Sequence, residues 1–392
     1  MMHRILIISH KSPYAPLDGG VLAIRNFFEA LCKHPNFEVF MFCIDTPKHK
    51  HDPQDHVFAK YCENHYIDTG LKPVEALKHL LRNSSYNLSR FYDKNLSNKI
   101  KNHLGSKDYD FVLFESLFST VYHDDLKSVF SGKFLYRSHN VEYNIWDSLS
   151  NNEGNPFKKW YLKQLTKTLK EFETKIHSNM DAIFSISKDD LEYYKTNTDI
   201  PCYLLFFIRE QLERVHSIQE NAFFHLASMD WQPNIEAVEW FVEQVWKDVY
   251  AQDNSLVLYL AGKCMPKHYF NMQHLGIKAF DYIDEGDRFM QNHGTLIVPL
   301  FTGSGIRIKV VDALSIHVPI LSTQLGVSGI GLEKDTHYVE ANTAEEFKNA
   351  ILSIGKKELD LNKMAKKSKI FAFENFEEHS VIQRFSNQLN QI

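Results

Sequence analysis

Read from its N-terminus, the chain repeats one pattern: a short apolar run, a turn, then a longer stretch with apolar residues at helical spacing. Residues 4–9 form the first apolar run and predict a buried strand. A loop with Pro13, Pro16, Asp18, Gly19 and Gly20 follows. Within 21–33, Leu22, Phe27, Phe28, Ala30 and Leu31 fall close to one helical face. Residues 37–44 predict a second strand, and 48–56 a polar, histidine-rich loop. Helices are predicted over 74–81 and 96–104, and short buried strands over 111–114, 134–136 and 182–186. Strands alternating with helices imply right-handed crossovers and a parallel sheet.

A last strand of the first half, 203–206, runs into a polar, poorly periodic stretch at 209–219, where the linker between two domains is expected. The alternation then restarts. Strands are predicted over 223–227, 256–261, 276–280, 295–299 and 320–322, and helices over 235–249, 307–315 and from Glu345 onward. The tail, 357–392, is helical and holds no strand. The fold class is therefore α/β, with two Rossmann-like doubly wound parallel-sheet domains facing a cleft and a C-terminal helix crossing back. The expected boundaries are 1–207, 208–365 and 366–392.

A chain of 392 residues is long enough for two cores. The net charge of −5 gives no overall pull toward nucleic acid. The five cysteines (Cys32, Cys43, Cys62, Cys202, Cys264) are scattered and include no Cys-x-x-Cys pair, which argues against a disulfide framework or zinc site and fits a reducing compartment. The run Ile5, Leu6, Ile7, Ile8 is too short for a signal-peptide core, and no run approaches the ~18–20 apolar residues of a membrane span. A cytoplasmic location is expected, with contact at the inner face of a membrane as its only membrane association.

Two parallel sheets in tandem place ligands outside the carboxyl ends of their strands, where helix N-termini favour phosphate. The strongest local feature fits that position. A strand ending at Pro299 leads through Thr302, Gly303, Ser304 and Gly305 into a helix carrying Arg307 and Lys309. Small residues let backbone approach a diphosphate, and the cations neutralise it. A lone Gly-Ser-Gly is more often a plain turn, so its flanks must decide.

The flanking stretch GSGIRIKVVDALSIHVPILST resembles the donor-binding region of glycosyltransferase family 4, in the branch reading P-L-x-x-G-S-G-x-R-x-K-x-x-E-A. MDWQPNIEAVEWFVEQVW, at 229–246, is similar to the first loop and helix of that branch's C-terminal domain. YRSHNVEY, at 136–143, is similar to its His-Asn-x-Glu segment. The resemblance implies a GT-B fold in which the first domain receives an acceptor and the second a nucleotide-sugar. It also implies a retaining hexosyltransferase without cofactor or metal, serving surface-polysaccharide assembly.

The family's paired donor glutamates fall on Ser304 and Asp312, and both depart from the pattern. Asp312 keeps a carboxylate for ribose hydroxyls, while Ser304 offers a hydroxyl and an N–H. The family's basic loop after the first C-terminal strand reads Met229-Asp230-Trp231-Gln232-Pro233-Asn234 here, so Arg307 and Lys309 are the substitutes. The resemblance assigns catalysis to His139, Arg307 and Lys309, and donor contacts to Gly19, Gly20, Tyr282, Gly303, Ser304, Gly305, Ile306 and Asp312. Bland readings stand beside these: a backbone-satisfied His139, a plain turn at Gly19-Gly20, and Tyr282 as core packing.

His49, His51 and His56 share a polar loop, read as solvated rather than metal-binding. Lysines interleave with aromatic and aliphatic residues over 157–175, which suits either an ordinary surface helix or contact with an anionic membrane. Gly-x-Ser-x-Gly, Gly-x-Gly-x-x-Gly and P-loop patterns are absent. The leading function is sugar transfer from a nucleoside-diphosphate sugar to a glycan or lipid-linked acceptor. The alternatives are a nucleotide-sugar 2-epimerase and a non-catalytic, nucleotide-binding GT-B subunit.

Overall fold

The computed structural model describes residues 2–16, 18–50, 56–211, 218–303 and 305–392. The chain divides into two compact units, one of Met1–Ile208 with Val381–Ile392, the other of Arg209–Ser380. His51, Ser304 and 212–217 of the expected linker lie outside the described residues.

The first unit holds a seven-stranded sheet: β1 (His3–Ser9), β2 (Phe37–Asp45), β3 (Cys62–Tyr66), β4 (Phe111–Glu115), β5 (Lys133–Ser138), β6 (Ala182–Ser185) and β7 (Cys202–Leu204). All pairs are parallel, in the order β3-β2-β1-β4-β5-β6-β7. The unbroken apolar run of β1 follows from coverage of both faces, since successive side chains point to opposite sides. Ile5 and Ile7 enter one core with Phe27, Phe28 and Leu31 of the helix Gly19–Lys33. Leu6 and Ile8 enter the other, with Ile100 and Leu169 of the helices Lys94–Ser106 and Pro156–His177.

The last helix, Glu378–Leu389, belongs to this unit from Val381 onward, although the 172 positions of the other unit, from Arg209 to Ser380, intervene in sequence. It presents Val381, Ile382, Phe385 and Leu389 on one face to the core. The Phe385 ring lies 5.2 Å from that of Phe27 and 5.1 Å from that of Phe184.

The second unit repeats the plan with β8 (Ala222–Leu226), β9 (Val257–Ala261), β10 (Ile277–Phe280), β11 (Thr295–Val298), β12 (Ile320–Ser322) and β13 (Val339–Glu340). Their order is β10-β9-β8-β11-β12-β13, again parallel throughout. In both sheets the strand order reverses beside the first strand, at β1/β4 and at β8/β11. That reversal opens the crevice in which doubly wound sheets take ligands.

Several elements differ from the sequence expectation. Gly19 and Gly20 are the first turn of a helix rather than a loop, because the Asp18 carboxylate caps it by accepting from the Val21 N–H at 2.8 Å. The strand expected at 203–206 ends at Leu204, and Leu205 and Phe206 are buried beyond it. The edge strand β3, reading Cys-Glu-Asn-His-Tyr, has no apolar signature, and the two-residue β13 and the helix Gly286–Asn292 are too short to show periodicity. The helix expected at 235–249 spans Gln232–Phe241 and Lys247–Gln252, joined by a π-helical turn at Val242–Trp246.

Candidate active site

In the first unit, the reversal point carries a cavity of about 430 Å³. His10 and Lys11 follow β1, Ser116 follows β4, and His139 and Asn140 follow β5. Beneath it lies a buried charged group. Glu115, at the end of β4, pairs with the fully buried Arg137 and accepts from His139 Nε2–H at 2.9 Å. Burial pushes the Glu115 carboxyl upward, but Arg137 and then His139 outweigh it and hold the pKa below the usual range. The guanidinium of Arg137 also lies 4.3 Å from the centre of the Phe27 ring.

His10 Nδ1–H donates to the Glu115 carbonyl at 3.2 Å, which leaves Nε2 as an acceptor in the neutral ring. Burial, followed by Lys11 and His139, lowers its pKa well below the ordinary histidine value. Ser116 holds φ at 73°, a left-handed conformation rare outside glycine. At the mouth, Asp18 accepts from Lys11 Nζ at 2.9 Å and His49 Nε2 at 2.8 Å while capping its helix. Burial opposes ionisation of Asp18, but these donors hold it well below the carboxylate range. Glu142 goes the other way: burial raises it to about 7.

The two described loop histidines, His49 and His56, do not converge. His49 binds Asp18, and the His56 ring stacks on Tyr14 at 4.1 Å. Among the described residues, no group of three or more His, Cys, Asp or Glu is arranged to hold a metal ion.

In the second unit, the loop after β11 contains Gly303 at φ 105° and Gly305 at φ 80°, conformations that require glycine. A Cβ on Gly303 would also come within 3.0 Å of the Trp231 ring. Gly303 is exposed and Ile306 half-buried. Arg307 does not extend outward: it is 5% exposed, and its guanidinium donates to the carbonyls of Gly303, at 3.1 Å, and Gly305. It thereby neutralises the carbonyls that the left-handed turns direct inward.

Lys309 occupies the β8/β11 reversal point. Its Nζ donates to His225 Nε2 at 3.3 Å and Asn234 Oδ1 at 3.2 Å. His225 is fixed by donating from Nδ1 to the Ile297 carbonyl at 2.8 Å, and Asn234 by donating to the Ser228 carbonyl at 2.9 Å. Burial, and then Arg307, brings the Lys309 pKa down to about 7. When protonated, the ammonium has a third N–H beyond these two bonds.

Asp312 pairs through Oδ1 with Arg209 Nε at 2.6 Å, and Arg209 also binds Asp287 at 2.9 Å. Burial raises Asp312 to about 6, with Arg209 opposing. Tyr282 is 70% exposed, so core packing is not its role.

The structure thus brings together Gly303, Gly305, Arg307 and Lys309 in one unit, and His139 and Gly20 around one cavity in the other. Sequence reasoning missed His225, Asn234, Lys11, Asp18, Glu115 and Arg137. Glu115 and Arg137 each fall one residue beyond the predicted strand runs 111–114 and 134–136, and that strand-end position was the available signal.

Residues 220–357 match the family model described as Glycosyl transferases group 1. That match falls within the second unit, and the whole chain has the GT-B fold of two Rossmann-like units. Together they define a glycosyltransferase enzyme. The chain is similar to an uncharacterised 44.6 kDa protein in the cps region of Klebsiella pneumoniae, with 23% identity over 97% of this chain and 98% of that protein. Among solved structures, it is similar to sucrose-phosphate synthase from Thermosynechococcus elongatus, with TM-score 0.67 and 15% identity over 99% and 98% of the two chains. It is similar to Anabaena HepE in complex with UDP, with TM-score 0.64 and 11% identity over 100% of both chains. A third likeness is to the lipopolysaccharide outer core galactosyltransferase WaaB, with TM-score 0.63 and 12% identity over 99% of each.

Proposed function

We propose that this enzyme is a member of glycosyltransferase family 4 that moves a sugar, with retention and without a metal ion, from a nucleoside-diphosphate sugar to a glycan or lipid-linked acceptor. The observation that carries this reading is Lys309 at the β8/β11 reversal point, held by His225 and Asn234 beside a loop whose glycines take left-handed turns. A pyrophosphate there receives the Lys309 ammonium and the amides of Gly303, Gly305 and Ile306. Arg307 contributes positive field through its own loop rather than by direct reach. Asp312, oriented by Arg209, accepts from ribose hydroxyls, and the exposed Tyr282 covers the base. Gly19 and Gly20 form the N-terminal turn of a 15-residue helix, whose free N–H groups suit a phosphate.

In the transfer step the bond between the anomeric carbon and the phosphate oxygen breaks, and the acceptor oxygen bonds that carbon on the same face. The acceptor proton passes to the departing phosphate oxygen. His139 orients the sugar or acceptor hydroxyl, with Glu115 fixing its ring. The cps-region relative and the UDP complex of a protein with the same fold support the donor class and a role in surface-polysaccharide synthesis.

A thermal-shift panel of UDP-, GDP- and dTDP-sugars tests the reading, since a ligand of the native state raises apparent stability. At least one donor should raise the melting temperature and support transfer, and Lys309→Ala should abolish both effects. Donor conversion without an acceptor would instead indicate an epimerase, and no response to any donor would refute the reading.

A further inference from the structure

We propose that the cavity of the first unit is an acceptor subsite for a sugar bearing an anionic group, a carboxylate or a phosphate, which Arg90 holds beside an aromatic platform. The proposal rests on the donor-transfer reading above and names the acceptor class.

Five charged side chains line the cavity: Lys11, Lys48 and Arg90 against Asp18 and Glu142. The Lys11 charge is already met by Asp18 at 2.9 Å. Arg90 is different. Among the described residues its guanidinium makes one hydrogen bond, from Nη1 to the Thr69 carbonyl at 3.2 Å, while its Nε is buried without an acceptor. A neutral carbonyl does not compensate a guanidinium, whose planar fork suits carboxylate and phosphate. The cavity therefore retains a cation with no anion assigned to it.

The neighbouring side chains fit a sugar ring. Phe91 and Phe118 lie 4.9 Å apart between centroids, and the Arg90 guanidinium carbon lies 5.7 Å from the centre of Phe91. Sugar hydroxyls need paired donors and acceptors, which His10 Nε2, Asn140 and Thr46 supply around the same space. His139 stands in this lining too, so the anion is held in the same cavity as the residue proposed to orient the reacting hydroxyl. The Ser116 backbone at φ 73° is the kind of local strain that concentrates at binding sites.

The test uses the full chain and three probes, glucuronate, glucose 6-phosphate and glucose, titrated by calorimetry or ligand-observed NMR. UDP, GDP and dTDP are titrated in parallel. At least one acidic sugar should bind tenfold or more tightly than glucose, and the preference should shrink with rising salt. The two acidic arms identify the anion. Arg90→Gln should bring acidic-sugar binding down to the glucose level with UDP affinity unchanged. Arg90→Lys, which keeps the charge without the fork, should retain part of the preference and replaces Arg90→Gln if that variant misfolds.

Equal binding of glucose and both acids would overturn the proposal, as would an acid preference that survives Arg90→Gln. If Arg90→Gln weakens UDP as strongly as the acidic sugars, the anion at Arg90 is the donor's phosphate and the acceptor assignment is wrong. Failure of UDP, GDP and dTDP alike to bind the wild type strikes the donor reading, whereas loss of acid discrimination with a nucleotide still bound strikes this proposal alone.

Discussion

His139 and Glu115 meet at 2.9 Å across two adjacent strand ends, and the same carboxylate carries the buried charge of Arg137. One acid therefore has two duties. It balances a guanidinium with no exposure to water, and it sets the orientation of the histidine that faces the cavity.

Replacing Glu115 with Gln should be strongly destabilising, because it strands the Arg137 charge in the core. A loss of about 3–5 kcal/mol is expected from the general cost of breaking a buried pair. Urea unfolding measures it. The double variant Glu115→Gln with Arg137→Met should recover part of the loss, since the orphaned charge is then gone. The pH dependence has a definite sign: the Glu115 pKa is depressed by folding, so its contribution is complete above the ordinary glutamate range and fades as pH falls through the folded value. Wild type should lose more stability between pH 6 and roughly pH 3 than the double variant does.

Lys309 gives donor binding an unusual pH response. A lysine is cationic below its pKa, and burial places this one at about 7. Affinity for UDP should fall as pH rises from about 6 to 8, where an ordinary lysine would show no change. Calorimetry in buffers of different ionisation enthalpy should detect proton uptake on binding near pH 7. Lys309→Met should weaken UDP about tenfold or more, equivalent to ~1.4 kcal/mol, and remove this proton linkage.

Cys43 and Cys62, on neighbouring strands, bring their sulfurs to 2.9 Å although 19 positions separate them in the chain. Burial raises the Cys43 thiol well above its usual value, so the half-buried Cys62 is the one to attack an external disulfide. Glutathione disulfide should form a mixed disulfide at Cys62 that Cys43 then displaces, releasing two glutathione thiols in all. Peptide mapping should find a Cys43–Cys62 crosslink with the protein lighter by two hydrogens. Cys43→Ser should instead stop at the glutathione adduct. A wild-type protein that keeps both thiols free would contradict the expectation.

The helix Pro156–His177 exposes Phe157 at 85% and Trp160 at 56%, with Lys158, Lys159 and Lys163 interleaved. Among the described residues no helix is long and apolar enough to cross a membrane. Interfacial contact remains available to such a helix, because apolar side chains enter the headgroup boundary while lysines meet anionic lipid. Vesicles containing phosphatidylglycerol should co-sediment the protein, and neutral phosphatidylcholine vesicles should do so much less. Phe157→Ser with Trp160→Ser should reduce binding severalfold without lowering the melting temperature, as neither side chain is in a core.

The order of apolar runs along this chain determined the two parallel sheets. A strand covered on both faces must be apolar at successive positions, as Ile5 to Ile8 are, and alternation with amphipathic stretches leaves little choice of connection. The glycine-bearing loop before Lys309 was legible for a similar reason, since residues able to turn left-handed leave a local signature. What each polar group does once there was decided only by tertiary structure. Arg307 folds onto its own loop, Asp312 is claimed by Arg209, and Lys309 is held by a histidine 84 positions away. The physical reason is that a buried charge must find its partner among whichever groups the sheet brings within about 3 Å. Spacing along the sequence carries no record of that choice.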